Sequence, residues 1–133
     1  MDTADNRAIV TRFVEPWRTG DLTAFDGTVG EAYVLHPDST LDDLKEQVSK
    51  FRVGFPDLAI TIEDSVAEGD KVAYRWTMRG THQGDIEGIA PTGRAVEFSG
   101  ITIVRIENRR IVEDWFESGS ASLEEQLGVA GPQ

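Results

Sequence analysis

GITIVRIENRRIVEDWFESG, residues 100 to 119, reads as two strands joined by a tight turn. β-Branched residues dominate both arms, and the middle, Glu107-Asn108-Arg109, is polar and turn-forming. The turn length decides which side chains share a face. With a three-residue loop, a type I turn followed by a left-handed residue, the odd-numbered positions line up: Ile101, Ile103, Arg105, Ile111, Glu113, Trp115 and Glu117. With a two-residue loop, Arg105 joins Val112, Asp114 and Phe116, and the charged constellation dissolves. The first register is the one adopted. Charged residues among Ile and Trp on a pleated face form either a solvated outer surface or the wall of a polar-lined pocket, and as a bare pattern the outer surface is the commoner of the two.

Working outward, strand signals precede this hairpin and helical ones flank the strands. Ala8, Ile9, Phe13, Val14 and Trp17 fall at helical spacings, predicting an amphipathic helix from about Ala4 to Thr19, closed by Gly20. Pro16 lacks a backbone donor and is expected to kink the last turn or end the helix early. Asp21 reads as the N-cap of a short helix through Phe25. Tyr33-Val-Leu-His-Pro37 is a brief strand stopped by proline. Ser39 with Asp42 resembles a capping box for a helix from about Thr40 to Val53, ended by Gly54.

Leu58 to Glu63 alternates as a half-buried strand, and Glu68-Gly69-Asp70 is the next turn. From Val72 to His82 runs a long strand, with Val72, Tyr74, Trp76 and Met78 on one face and Arg75, Thr77, Arg79 and Thr81 on the other. Gly84 to Gly93 is a loop long enough to move, Ala95 to Ser99 leads into the hairpin, and Ser122 to Leu127 is a short helix with Gly128 at its C-cap. The tail from Val129 to Gln133 is expected to be loose. Helices followed by a run of strands give an α+β domain, with the helices on one face of a curved antiparallel sheet that encloses a cone.

The chain has 133 residues, the size of one domain with room for a core and a small-molecule cavity. It has no cysteine, which excludes disulfides, thiolate catalysis and cysteine-bound metals. With 24 acidic and 13 basic residues the net charge is -11, which repels nucleic acid and anionic membranes. The opening residues are acidic where a signal peptide carries Lys or Arg, and no apolar run approaches spanning length, so a cytoplasmic, unprocessed protein is expected. Its two histidines, His36 and His82, lack paired ligand spacing, so no metal site is expected.

Phe55-Pro-Asp-Leu58, Glu68-Gly-Asp-Lys-Val-Ala73, Gly80-Thr-His-Gln-Gly84, Pro91-Thr-Gly-Arg94, Ile111-Val-Glu-Asp-Trp115 and Gln126-Leu-Gly128 together resemble the SnoaL-like polyketide cyclase family. That family belongs to the nuclear transport factor two-like superfamily of cone-shaped α+β domains. The resemblance runs from the first helix to Gly128 and implies a barrel-like cone in one domain. It also implies a cofactor-free enzyme, dimeric or larger, that works on a small molecule inside the cone. The cyclases use a carboxylate four residues after the tryptophan for an intramolecular aldol closure; this chain has Gly119 there. Arg105 stands where they place a histidine on the preceding strand.

Glu117 is then the nearest remaining carboxylate, and an apolar cone would raise its pKa into the useful range. His82 is the proton shuttle candidate. Arg105 and Arg75 are suited to polarising a carbonyl, or else to pairing with Glu113 or Glu97. Trp115 and Tyr74 suit the wall of a flat ligand, His36 its mouth, and Glu113 either the site or an ion pair with Arg105 or Arg75. The expected function is a cyclase or isomerase on a hydrophobic oxygenated substrate. An epoxide hydrolase or epoxide-opening cyclase, with two carboxylates converging on one arginine, and a non-catalytic ligand-binding protein remain as alternatives.

Overall fold

A computed structural model describes residues 3–119 and 121–128; the 129–133 tail lies outside them. Helix α1 (Thr3–Thr19) buries Ile9, Val10, Phe13 and Val14, which recur at spacings of three and four. Pro16 lies inside the helix without ending it early, because the helix runs on to Thr19 and Gly20 N–H closes onto the Pro16 carbonyl. A 3-10 turn (Leu22–Gly27) follows, its N-cap Asp21 accepting from Thr23 N–H. Helix α2 (Leu41–Gly54) starts one residue later than the sequence suggests. Its capping box is Thr40 with Asp43, not Ser39 with Asp42, since Ser39 is drawn into backbone hydrogen bonds with Leu35. A final short helix, α3 (Leu123–Leu127), has Ser122 as N-cap and Gly128 at φ 75° as its left-handed C-cap.

The five strands are β1 (Val29–Leu35), β2 (Ala59–Glu68), β3 (Lys71–Thr81), β4 (Ala95–Glu107) and β5 (Arg110–Ser118), in the sheet order β1-β5-β4-β3-β2. The fold is α+β as expected, but the sheet is mixed and open rather than an antiparallel barrel. From β2 to β5 the strands form an antiparallel meander. β1 is separated from them by α2 and pairs parallel with β5. The two edges, β1 and β2, do not meet, and α1 and α2 cover the sheet face between them.

The hairpin's pairing matches the adopted register in its arms, by a different turn. Arg105 pairs with Glu113, Ile103 with Trp115 and Ile101 with Glu117. The loop is two residues, Asn108 and Arg109, both left-handed at φ 51° and 64°, as a type I′ turn requires. A register shift after Arg105 sets Ile106 opposite Ile111 and leaves Val112 as the extra residue of a bulge. The bulge restores the odd-numbered pairing that a plain two-residue turn would destroy. It also turns Ile111 inward, where it is fully buried, instead of placing it beside Glu113.

The inner face of the sheet is therefore Val72, Tyr74, Trp76 and Met78 of β3, Val96, Phe98, Thr102, Val104 and Ile106 of β4, and Ile111 and Asp114 of β5, all buried. The outer face carries Arg75, Ile101 and Ile103, with Ile101 52% and Ile103 40% exposed. The loop from 83 to 94 is pinned at its start: a Cβ on Gly84 would stand 1.9 Å from the Val53 carbonyl oxygen, so only glycine fits there.

Candidate functional site

Between the helices and the inner face of the sheet lies a cavity of about 690 Å³. Its walls are apolar and aromatic: Phe13 and Trp17 from α1, Phe51 from α2, and Trp76, Met78 and Phe98 from the sheet. Trp17 meets Phe51 edge-on at 5.8 Å between centroids, and Phe51 meets Phe98 at 5.7 Å. Such walls favour a flat, largely apolar ligand.

Asp114 is the carboxylate in this cavity that burial perturbs. It sits on the inward-facing run of β5, is 4% exposed, and lines the cavity. Tyr33, on neighbouring β1, donates its hydroxyl to Asp114 Oδ2 at 2.7 Å, while Oδ1 is buried with no partner among the described residues. The main chain here is fixed by His36 N–H, which donates to the Asp114 carbonyl at 2.9 Å. Burial pushes the Asp114 carboxyl up from 3.8 to about 6, against the opposing pull of the Tyr33 hydrogen bond and of nearby His36. At pH 7 such a group is about nine-tenths ionised. A carboxylate poised near neutrality, in a residue that lines a cavity, has the properties of a general base.

Two phenols flank it. Burial pushes the Tyr33 hydroxyl up, and the charge and hydrogen bond of Asp114 push it further, so it stays protonated as a donor. Burial likewise pushes Tyr74 up, with the Asp114 charge adding to it and a hydrogen bond with Thr102 opposing. Trp76 Nε1 donates to Thr102 Oγ1 at 2.9 Å.

The residues singled out from sequence divide into three groups. Tyr74 and His36 line the cavity. Glu117, Arg105, Arg75, Glu113 and Trp115 share the odd-numbered, outer face and are outside its lining. Arg105 is ion-paired to both Glu113 and Glu107. Two carboxylates thus do converge on one arginine, but at the surface. His36 Nε2 lies 2.8 Å from Glu113 Oε2, and its ring stacks on Trp115 at 4.6 Å with a 7° tilt. Arg105 first and His36 second hold the Glu113 carboxyl below the ordinary carboxylate range. Lys71 Nζ stands 5.9 Å from the Trp115 ring centroid.

His82 forms the third group: it is fully buried but outside the cavity lining. Its Nδ1 accepts the Thr92 N–H at 3.1 Å, so the ring proton sits on Nε2, which is buried without a partner among the described residues. Gly119 lies just past β5, with nothing within 4 Å of where a Cβ would stand. Asp114 is not among the residues that the charged odd-numbered face points to. The signal was available: Asp114 is a carboxylate on the face that β3 and β4 fill with Val72, Tyr74, Trp76, Val104 and Ile106, where an unpaired charge is costly without a function.

Among the described residues no group of three or more His, Asp or Glu could hold a metal ion, and no helix is long and apolar enough to cross a membrane.

The family model of SnoaL-like polyketide cyclases matches residues 7–127. No curated protein matches the chain. Several solved structures do. AclR of Streptomyces galilaeus, described as a candidate hydroxylase, is 27% identical with a TM-score of 0.86, covering 96% of this chain and 98% of its own. TsrD of Streptomyces laurentii is also 27% identical at a TM-score of 0.86, over 98% of this chain and 99% of its own. IdmH of Streptomyces antibioticus, described as a candidate polyketide cyclase, is 29% identical with a TM-score of 0.78, over 92% of this chain and 98% of its own.

Proposed function

The chain belongs to the SnoaL-like polyketide cyclase family, and on that premise we propose that it is an acid/base enzyme acting on a flat, oxygenated, largely apolar substrate through Asp114. The observation that carries the proposal is the buried Asp114 carboxyl in the wall of an aromatic cavity, one oxygen held by Tyr33 and the other without a partner among the described residues.

The ionised carboxylate removes a proton from a carbon next to a carbonyl. As the electron pair moves onto the carbonyl oxygen, the Tyr74 hydroxyl donates to the developing oxyanion, stabilised by a donor already in place. In a cyclisation the enolate carbon then attacks a second carbonyl of the same substrate, and the proton held by Asp114 passes to the new alkoxide. In an isomerisation it returns to a different carbon. Either way no atom is gained or lost, and Asp114 ends ionised. Tyr33 fixes the rotamer of the carboxyl and keeps Oδ1, not Oδ2, toward the reacting carbon. The aromatic walls exclude water from the enolate.

The surface placement of Arg105 with Glu107 and Glu113 gives no support to epoxide opening in the cavity, and Asp114 supports catalysis over ligand storage. The test needs no natural substrate: the rate of α-hydrogen exchange of 1-tetralone in D2O, read by NMR. Wild type is expected to accelerate exchange over buffer, with a rate that rises as pH passes about 6, and Asp114→Asn to lose at least about a hundredfold of that acceleration. No acceleration by wild type, or equal rates with Asp114→Asn, would overturn the proposal.

A further inference from the structure

The charged side chains around the cavity are of one sign. Asp38 and Ser39 from the turn after β1, and Asp43 and Glu46 from α2, contribute to its lining, with Asp114 on the sheet side. No Lys or Arg is among the described lining residues. Two cations of α2 are engaged elsewhere: Lys50 pairs with Glu87, and Arg52 donates to the Leu58 carbonyl. Asp43 is fixed in place, since its Oδ2 accepts from the Thr40 N–H and hydroxyl in the cap of α2. Asp38 and Glu46 are exposed. An acidic rim would by itself say little in a chain of net charge -11. The second observation is on the sheet side of the same cavity, where the lining residue Asp114 is 4% exposed and its Oδ1 is buried without a partner among the described residues.

We infer that this cavity selects its ligand by charge, taking uncharged or amine-bearing ring compounds and excluding those that carry a free carboxylate or phosphate. The inference rests on the reading of the cavity as the substrate site and specifies the substrate class of that site. An anionic ligand would lose hydration on entering and find no Lys or Arg in the described lining to replace it, while the His36 ring nitrogen Nε2 is already taken by Glu113. It would also sit close to Asp114 and hold that carboxyl in its protonated form, removing the base the reaction needs. A protonated amine at the rim meets the reverse conditions: the carboxylates of Asp38 and Glu46, in a lining that also contains the Trp17 ring.

Three probes share one ring and differ in charge: 2-naphthylmethylamine, 2-naphthamide and 2-naphthoate. Their binding to the full chain is measured by calorimetry at pH 7.5 in about 20 mM and about 300 mM salt, conditions that differ strongly in screening. The amine and the amide are expected to bind at least about tenfold more tightly than the carboxylate at low salt, with the amine's advantage shrinking at high salt. The double variant Asp38→Asn/Glu46→Gln is expected to narrow the gap between amine and carboxylate severalfold while leaving the amide unchanged. Carboxylate binding as tight as that of the amide, or an unchanged gap in the double variant, would overturn the inference and leave the Asp114 proposal standing. Failure of all three probes to bind would overturn the cavity's assignment as a ring-binding site, and the inference with it. Tetralone exchange that is indifferent to Asp114→Asn, with the charge ranking intact, would remove the catalytic reading alone.

Discussion

Replacing Asp114 by Asn should stabilise the protein as it disables it, and the gain should depend on pH in a calculable way. The folded carboxyl has its pKa raised from 3.8 to about 6, chiefly by burial. A raised pKa means the folded state holds the proton more tightly than the unfolded state. The contribution to stability is therefore complete below 3.8 and is lost as pH climbs through about 6. At about 1.4 kcal/mol per pH unit, that span corresponds to a cost of about 3 kcal/mol once the group is fully ionised. Within it, the cost is about 1.6 kcal/mol at pH 5 and about 3 kcal/mol at pH 8.

Asn has the same shape, its amide oxygen can still accept from Tyr33, and it does not titrate. The stability of Asp114→Asn minus that of wild type should consequently grow by about 1.4 kcal/mol between pH 5 and pH 8. Taking the difference cancels every group the two proteins share. Urea unfolding followed by tryptophan fluorescence supplies the measurement, and pH 5 keeps the chain above its isoelectric point near 4.5. A difference that is flat with pH, or one in which wild type gains on the variant as pH rises, would refute the reasoning. A site residue that costs stability where it is ionised is the pattern expected when function, not folding, keeps it.

Tyr33→Phe removes the one side-chain donor that lowers the Asp114 pKa, so the rise of tetralone exchange should move to higher pH, and exchange at pH 6 should fall about threefold, as expected when a hydrogen bond of about 1 kcal/mol is lost and the ionised fraction drops with it. Glu117→Gln and Arg105→Gln alter the outer face of the sheet only; each should leave exchange within about twofold of wild type and stability within about 0.5 kcal/mol, and a loss like that of Asp114→Asn would return the site to that face. Gly84→Ala forces a methyl group to 1.9 Å from the Val53 carbonyl oxygen and should cost about 3 kcal/mol or more by thermal or urea unfolding, whereas an alanine tolerated there would show that the loop start is not pinned.

The strand and helix order was legible because periodicity reports directly on which faces are buried. Ile9, Phe13 and Val14 mark one helix and the Val72 to Met78 alternation one strand. The parallel β1 was not legible, since the short run Tyr33-Val34-Leu35 before His36 and Pro37 carries no information about the direction or identity of a partner strand. In the hairpin, Asn108 is a natural left-handed residue but Arg109 is not, and no glycine announced a two-residue turn. The bulge at Val112 then decided which residues face inward, a choice set by packing Ile111 against the core. Asp114 went unread for a related reason. Sequence proximity groups it with the charged run around Trp115, while the pleat places it on the opposite face, beside the Tyr33 and Tyr74 hydroxyls.

The most direct test of Asp114 as the acid/base group is a carbon-detected NMR titration of the side-chain carboxyls, with Asp114→Asn used to assign the signal. A midpoint near 6, moving to higher pH when 1-tetralone occupies the cavity and deepens its desolvation, is what the account predicts. A midpoint at or below the ordinary aspartate value of about 3.9, indifferent to the ketone, would contradict it.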